Sequence, residues 1–175
     1  MPVTDAPSRN GGQMPQVRFN HMELTFARGA LDQARRDDIE AFYGGVLGWR
    51  TGPYELFGQV GHMLHPDDGQ FILLMESDTP MAAPGWDHLG LLVETRQEVD
   101  ELLEQCQRYQ EKDDRLELQI FDGDLTSPNI VCHAFYVRHL LPIWFDVQAL
   151  EYRPGTEPAR RWRFVEEERG AKGAP

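Results

Sequence analysis

The chain has 175 residues, 41% of them hydrophobic, and a formal net charge of −12. This predicts a globular protein with a packed core, and the apolar runs are far shorter than the roughly 20 residues of a membrane span. The negative charge argues against nucleic acid and anionic membranes as partners. Two cysteines cannot build a disulfide framework, and the first residues lack the features of a secretory signal, so we predict a cytoplasmic protein.

Residues 1–16 are rich in proline, glycine, serine and asparagine and predict a disordered arm. From Val17 the sequence alternates, which predicts a β-strand. His21 and Glu23 project from one face of that strand. The opposite, apolar face consists of Met22, Leu24 and Phe26. A strand with one polar and one apolar face is typical of a sheet that packs on helices.

A helix is predicted from about Asp37 to Gly48, because apolar residues recur at helical spacing. Three strands then follow, at about 49–56, 59–65 and 71–76. The first module therefore covers residues 17–76 in the order β-α-β-β-β. Residues 77–85 contain two prolines and a glycine and predict a linker.

The same order recurs in residues 86–151, the predicted second module. A strand at 86–93 is followed by a helix that starts with Thr95 and Glu98, the pattern of a capping box. Three further strands are predicted, at about 116–121, 132–137 and 143–150. Residues 152–175 form a charged tail, with a short helix predicted around 159–168. The two module openings, NHMEL and DHLGL, are themselves similar and lie 67 residues apart, which indicates an internal repeat.

The segment FYGGVLGW at residues 42–49, downstream of a strand histidine, resembles the vicinal oxygen chelate superfamily of glyoxalases, bleomycin resistance proteins and extradiol dioxygenases. The resemblance covers about residues 17–151. It implies an α+β fold, in which two tandem βαβββ modules form a cupped, mixed, eight-stranded sheet with helices outside. Activities in this superfamily range from lyase and dioxygenase chemistry to metal-free drug sequestration, and the fold does not choose between them.

Metal-binding members of the superfamily carry ligands on the first and fourth strands of their modules. By that resemblance, His21, His88 and Asp146 match ligand positions, whereas the fourth-strand position of the first module falls near Leu73. The sequence departs from the family pattern in two ways. Asp146 is one methylene shorter than the usual glutamate, and the turn at residues 137–142 lacks the acidic Pro–Gly sequence.

Strand alternation supports the same choice of residues. Trp144, Asp146 and Gln148 lie opposite the apolar face of their strand. Two imidazoles and a carboxylate suit a divalent Fe, Zn, Mn, Ni or Co ion with open coordination positions. Glu23 is a candidate general base, and Phe19, Trp144 and Gln148 are candidate cavity residues.

Simpler interpretations of these residues stay open. Asp146 could pair with Arg138, and Glu23 could be a solvated side chain. The four other histidines are predicted to be structural or exposed: His62, His65, His133 and His139.

The leading functional prediction is a divalent-metal-dependent enzyme, of lyase or dioxygenase type, acting on a small oxygen-rich substrate. The alternatives are a metal-free protein that sequesters a ligand, as bleomycin resistance proteins do, and a non-catalytic member that keeps only the fold. We also predict a homodimer, because two-fold dimers are the commonest soluble oligomers.

Overall fold

A computed structural model of the chain describes residues 19–158. The predicted arm at 1–16 and the predicted helix at 159–168 lie outside this range. The fold divides into two compact units, one ending at Ala82 and the other beginning at Ala83. No helix within residues 19–158 is long and apolar enough to cross a bilayer.

The first unit consists of one helix and one mixed four-stranded sheet. Its elements are β1 (His21–Ala27), α1 (Gln33–Tyr43), β2 (Arg50–Leu56), β3 (Gln59–Asp67) and β4 (Gln70–Ser77). The strand order is β1-β4-β3-β2. β1 and β4 are parallel and the other pairs are antiparallel, so the first and last strands of the unit are neighbours.

Helix α1 begins and ends earlier than the sequence predicted. The Asp32 side chain caps its first turn by accepting a hydrogen bond from the Arg35 amide at 2.8 Å. After Tyr43 the chain continues as turns to Gly48, where φ is +72° and glycine is favoured. The apolar side chains at Ile39, Phe42 and Tyr43 are fully buried in the core.

The second unit repeats this arrangement with one additional short strand. Its elements are β5 (His88–Leu92), α2 (Arg96–Gln110), β6 (Glu117–Ile120), β7 (Leu125–Thr126), β8 (Ile130–Arg138) and β9 (Trp144–Tyr152). The sheet order is β5-β9-β8-β6, and β7 also pairs with β8. β5 and β9 are parallel neighbours, as β1 and β4 are in the first unit.

The capping box predicted at the start of α2 is confirmed. The Thr95 hydroxyl accepts from the Glu98 amide at 3.2 Å, and the Glu98 carboxylate accepts from the Thr95 amide at 2.8 Å. These two bonds satisfy backbone donors that the helix itself leaves unpaired. Val99 and Cys106 form the buried stripe of the helix.

The predicted fold class is confirmed: the protein is α+β, with two units in the β-α-β-β-β order and mixed sheets. The described residues hold nine strands in sheets of four and five, where the sequence predicted eight strands. The ninth is β7, which arises because residues 121–124 bulge away from β8 before the chain pairs with it again.

Candidate metal-binding site

His88 and Asp146 lie on the neighbouring parallel strands β5 and β9. The Nε2 atom of His88 is 4.0 Å from Oδ2 of Asp146. The other ring nitrogen, Nδ1, is 2.8 Å from the backbone oxygen of Trp86. A carbonyl can only accept a hydrogen bond, so Nδ1 carries the proton and neutral His88 keeps its Nε2 lone pair on the side of Asp146. Metal-binding histidines are commonly oriented in this way.

Asp146 is a buried carboxylate whose hydrogen bonding is incomplete. The residue is only 9% exposed, and within residues 19–158 its Oδ1 atom has no hydrogen-bond partner. Burial raises the pKa of Asp146, and the nearby His88 opposes this rise. A buried acceptor without a partner is unfavourable, so this oxygen is suited to receive a cation or a hydrogen-bond donor.

Arg138 does not pair with Asp146. Its Nε and Nη2 atoms donate to the two carboxylate oxygens of Glu117, at 2.9 and 2.8 Å. Its guanidinium carbon lies 4.5 Å from the centre of the Trp144 ring. The simpler interpretation of Asp146 as the partner of Arg138 is therefore wrong, since Arg138 is held by Glu117 and Trp144.

The unusual turn before β9 is anchored by a contact between a buried histidine and an aspartate. His139 is fully buried, and its Nε2 atom lies 2.9 Å from Oδ2 of Asp113. Leu140 follows with a φ of +60°, which turns the chain tightly. From this turn β9 runs with Phe145 and Val147 buried on the face opposite to Asp146. The structure thus keeps the register that strand alternation predicted for Asp146, although the family's turn sequence is missing.

Gly90 adds no side chain at the position of β5 that faces Asp146. The two residues are in register across the β5–β9 pair. A Cβ atom placed on Gly90 would contact a single group, the Nε2 atom of Gln148, at 3.1 Å. The amide oxygen of Gln148 is in turn 3.1 Å from the Cys132 sulfur, which donates to it. The amide of Gln148, a predicted cavity residue, therefore lies against Gly90, the residue in register with Asp146.

Tyr136 belongs to the same face of the sheet as Asp146, and it was not among the site residues predicted from the sequence. It is in register with Asp146 on the antiparallel strand β8, and its ring centre is 5.0 Å from that of His88. Burial, followed by the charge of Asp146, raises the pKa of Tyr136. Its phenol therefore stays protonated at neutral pH and can donate a hydrogen bond. Alternation along β8 places Tyr136 on this face, but only the register shows which residue it meets.

Aromatic rings surround this pair of polar groups. Trp86 is 54% exposed, and its ring lies 5.0 Å from Trp144 and 6.0 Å from Tyr136. Phe121 meets Tyr136 edge to face at 5.6 Å. Trp144 itself is buried, and its indole donates to the backbone oxygen of Gly85 at 3.2 Å. We call Trp86, Phe121, Tyr136 and Trp144 the aromatic cluster.

The remaining predicted site residues lie in the first unit. His21 is exposed and stacks on Phe71 with ring centres 4.7 Å apart, while its Nδ1 atom is 2.8 Å from the Asn20 side-chain oxygen. Glu23 is exposed, and so is Phe19. The structure thus brings His88 and Asp146 together in the second unit and places His21 in the first. Within residues 19–158 there is no group of three or more histidine, cysteine, aspartate or glutamate side chains arranged to hold a metal ion.

The two units carry different residues at the corresponding positions of their first and last strands. In the first unit, His21 is in register with Phe71, and Glu23 is in register with Leu73. In the second, His88 is in register with Trp144, and Gly90 with Asp146. Leu73 is therefore the structural counterpart of Asp146, and its side chain has no atom that binds a metal.

Solved structures of three proteins share the fold. One is assigned to the glyoxalase family, from Bacillus anthracis, with a TM-score of 0.56 and 16% identity over 80% of this chain and 100% of the other. A glyoxylase/bleomycin resistance protein/dioxygenase domain from Frankia sp. EAN1pec has a TM-score of 0.50 and 20% identity over 81% and 96%. The fosfomycin resistance protein FosX from Listeria monocytogenes has a TM-score of 0.50 and 14% identity over 78% and 92%.

These similarities define the class of fold. The chain has the fold of the vicinal oxygen chelate superfamily, as its sequence predicted. No protein-family model matches the sequence. No curated protein matches it either.

Proposed function

We propose that the protein is a divalent-metal-dependent enzyme acting on a small oxygen-rich organic substrate, and that His88 and Asp146 hold the ion. The observation that carries this proposal is the buried Asp146 carboxylate, which has one oxygen without a partner and the other facing His88 Nε2 at 4.0 Å. A cation bound there would compensate the charge of Asp146 and occupy both donor atoms.

The two donors fit the metals that the sequence suggests. Imidazole and carboxylate together suit Fe, Zn, Mn, Ni or Co. Nitrogen and oxygen donors lie about 2.0–2.2 Å from zinc, so two donors of one ion are at most about 4.4 Å apart. The 4.0 Å separation of His88 Nε2 and Asp146 Oδ2 meets that limit. When bound, such an ion acts as a Lewis acid on substrate oxygens.

The chain's own residues would orient the substrate and exclude water. The protonated Tyr136 phenol would donate a hydrogen bond to a substrate oxygen next to Asp146. Gly90 adds no side chain that would obstruct the substrate, and Gln148 offers an amide beside it. His21 as a third ligand, and Glu23 as a general base, remain proposals based on the sequence.

The structural comparisons support a small molecule as the ligand. One protein with this fold is named for resistance to fosfomycin, and another for glyoxylase, bleomycin resistance and dioxygenase activities. Because identity is no higher than 20%, these names suggest the kind of ligand without selecting a reaction.

Metal analysis of protein purified without a histidine tag tests the proposal. We expect about one ion per chain after loading, and its loss in both His88→Ala and Asp146→Ala. His65→Ala is the matched control, because His65 is a partly buried histidine on β3 in the first unit. The proposal would be contradicted if the unaltered protein bound no metal after reconstitution, or if both variants kept the metal. His21→Ala in the same assay decides whether His21 is a ligand.

A metal-free binding protein is the second candidate function. The exposure of Trp86 at the edge of the aromatic cluster favours it, because exposed tryptophan faces stack on planar ligands. Native mass spectrometry of the purified protein separates the two functions. A retained organic ligand without metal favours binding, and stoichiometric metal favours the enzyme.

The predicted homodimer is a separate proposal. Sedimentation should give a particle of twice the 20.1 kDa chain mass at micromolar concentration. A single species of the chain mass would contradict it. The cytoplasmic location and the module boundaries also stay predictions.

A further inference from the structure

The edge of the second sheet is interrupted by a four-residue bulge. Ile120 of β6 is in register with Phe135, and Leu125 of β7 is in register with Cys132. Residues 121–124 therefore stand opposite only two residues of β8. Such bulges bend a strand and redirect its side chains, often beside functional sites. We call residues 121–124 the bulge.

The two ends of the bulge make different contacts. At its start, the Phe121 ring meets Tyr136 of the aromatic cluster. At its end, the Asp124 carboxylate accepts a hydrogen bond from Arg96 Nη1 at 2.5 Å and lies 2.9 Å from His133 Nδ1. Asp124 is thus held by the first turn of α2 and by β8 together, while Phe121 reaches the candidate site.

His133 lies between two carboxylates. Its Nε2 atom is 2.7 Å from Oδ1 of Asp100 on α2, and its Nδ1 atom faces Asp124 of the bulge. A neutral imidazole has one N–H group and would direct the lone pair of its other nitrogen at a carboxylate. The two contacts together therefore require the doubly protonated, cationic ring.

We propose that the bulge is a pH-responsive flap at the edge of the candidate site, held against the sheet by protonated His133. The proposal goes beyond the proposed function, because the flap and its control by His133 exist with or without a bound metal or substrate. Phe121 is the residue of the flap that contacts Tyr136, so a movement of the flap changes the surroundings of the Tyr136 ring.

The surrounding charges set the direction of the response. The hydrogen bond with Asp100 and then that with Asp124 raise the pKa of His133, while burial and the charge of Arg96 oppose the rise. Glu151 of β9 lies 3.9 Å from Arg96 Nε and completes the cluster. With a raised pKa in the folded protein, the contacts of His133 are complete below its ordinary value of about 6.5. One of the two contacts is lost as pH rises through the folded-state pKa, because the neutral ring keeps a single N–H group. With that N–H directed at Asp100, the shorter of the two contacts, Asp124 is held by Arg96 without His133.

Fluorine NMR on protein labelled with 4-fluorophenylalanine tests the flap without any ligand. The Phe121 resonance is assigned as the one missing from Phe121→Leu, and it is followed from about pH 5.5 to about pH 9. The imidazole proton signals of His133 give its pKa in the same samples. We expect the Phe121 resonance to shift with the midpoint at which His133 loses its proton.

Four variants define the result. His133→Gln and Asp124→Asn should keep the Phe121 resonance at its high-pH position throughout, and Asp124→Asn serves as the test if His133→Gln does not fold. Asp100→Asn should move the midpoint of the Phe121 shift to lower pH. His65→Gln should give the same profile as the unaltered protein. A Phe121 resonance that does not follow His133, or a normal profile in His133→Gln and Asp124→Asn, would overturn the proposal. Either result would leave metal binding by His88 and Asp146 untouched.

Discussion

Gly90 lies directly in register with Asp146 on the neighbouring parallel strand, so this position of β5 adds no side chain next to the buried carboxylate. The corresponding pair in the first unit is Glu23 and Leu73. An acid paired with a glycine therefore occurs at this strand position in the second unit, and an apolar residue replaces the acid in the first. This difference explains why the candidate site is built around β5 and β9.

Replacing Gly90 by valine should block the site without unfolding the protein. A Cβ atom at this position meets only the flexible end of Gln148, which can move aside, so stability should change little. Metal affinity should fall about tenfold or more, because a branched side chain then stands in register with the carboxylate. Visible absorption during Co²⁺ titration measures the affinity, and thermal unfolding measures the stability.

Gly52→Val is the matched control for this experiment. Gly52 lies within strand β2 of the first unit, and a Cβ atom there would meet nothing within 4 Å. Its Co²⁺ affinity should equal that of the unaltered protein. Equal affinity in Gly90→Val would show that the space beside Asp146 is not the metal site.

Asp146→Asn should abolish metal binding and stabilise the metal-free protein. Removing a buried charge that His88, 4.0 Å away, balances only in part is expected to raise the free energy of unfolding by about 1 kcal/mol. Urea unfolding of metal-free protein checks this. A clear loss of stability would instead indicate that Asp146 has a structural partner.

Asp113→Asn, unlike Asp146→Asn, should lower the free energy of unfolding. Asp113 accepts hydrogen bonds from Arg115 and lies beside the fully buried His139. Loss of its charge weakens the contact with buried His139 in the turn before β9, which should cost about 2–3 kcal/mol. The hydrogen bonds from Arg115 hold the pKa of Asp113 well below its ordinary value. The stabilisation should therefore be complete above about pH 3.9 and decline as pH falls further, which acid unfolding can measure.

Tyr136→Phe tests the phenol without altering the ring. The aromatic contacts with Trp86, His88 and Phe121 should persist, so folding and metal binding should be unchanged. Binding of acetohydroxamate, a probe that chelates metals through adjacent oxygens, should weaken about tenfold, the value of one hydrogen bond of about 1.4 kcal/mol. Displacement titrations of the Co²⁺-loaded protein measure this. Unchanged probe affinity would assign Tyr136 a packing role.

His62 should make the protein sensitive to mild acid. It is 1% exposed, and within the described residues neither ring nitrogen has a hydrogen-bond partner. Burial lowers the pKa of His62, while Glu40 on α1 opposes the shift and Arg36 adds to it. The unfolded chain takes up the proton first as pH falls, so stability should be complete above about pH 6.5 and decline below it.

His62→Leu should remove that decline and raise the free energy of unfolding at neutral pH by about 1 kcal/mol, because an unpartnered polar group is replaced by an apolar one. Denaturant unfolding between about pH 5 and pH 8 provides the measurement. His65→Gln, which alters a partly buried histidine on the same strand, should keep the decline. A pH-independent stability of the unaltered protein would contradict this account of His62.

The strands and the faces they present could be predicted from the sequence. Alternation of apolar and polar residues over β1, β5 and β9 has a period of two, so it indicates both the strand and the side of the sheet on which His21, His88 and Asp146 lie. The capping box at Thr95 is equally local, since both of its hydrogen bonds join residues three positions apart. The repeat of the β-α-β-β-β order then predicted the fold.

The tertiary structure alone decided which side chains meet. Tyr136 and Gly90 are the cross-strand neighbours of Asp146, because strand register sets these neighbours and register is a property of the whole sheet. His139 and Asp113 are 26 residues apart, and their contact forms only when α2 and β8 pack together. The bulge likewise depends on two separate pairings with β8. Local sequence thus determined the faces of the sheet, and long-range packing determined the chemistry on them.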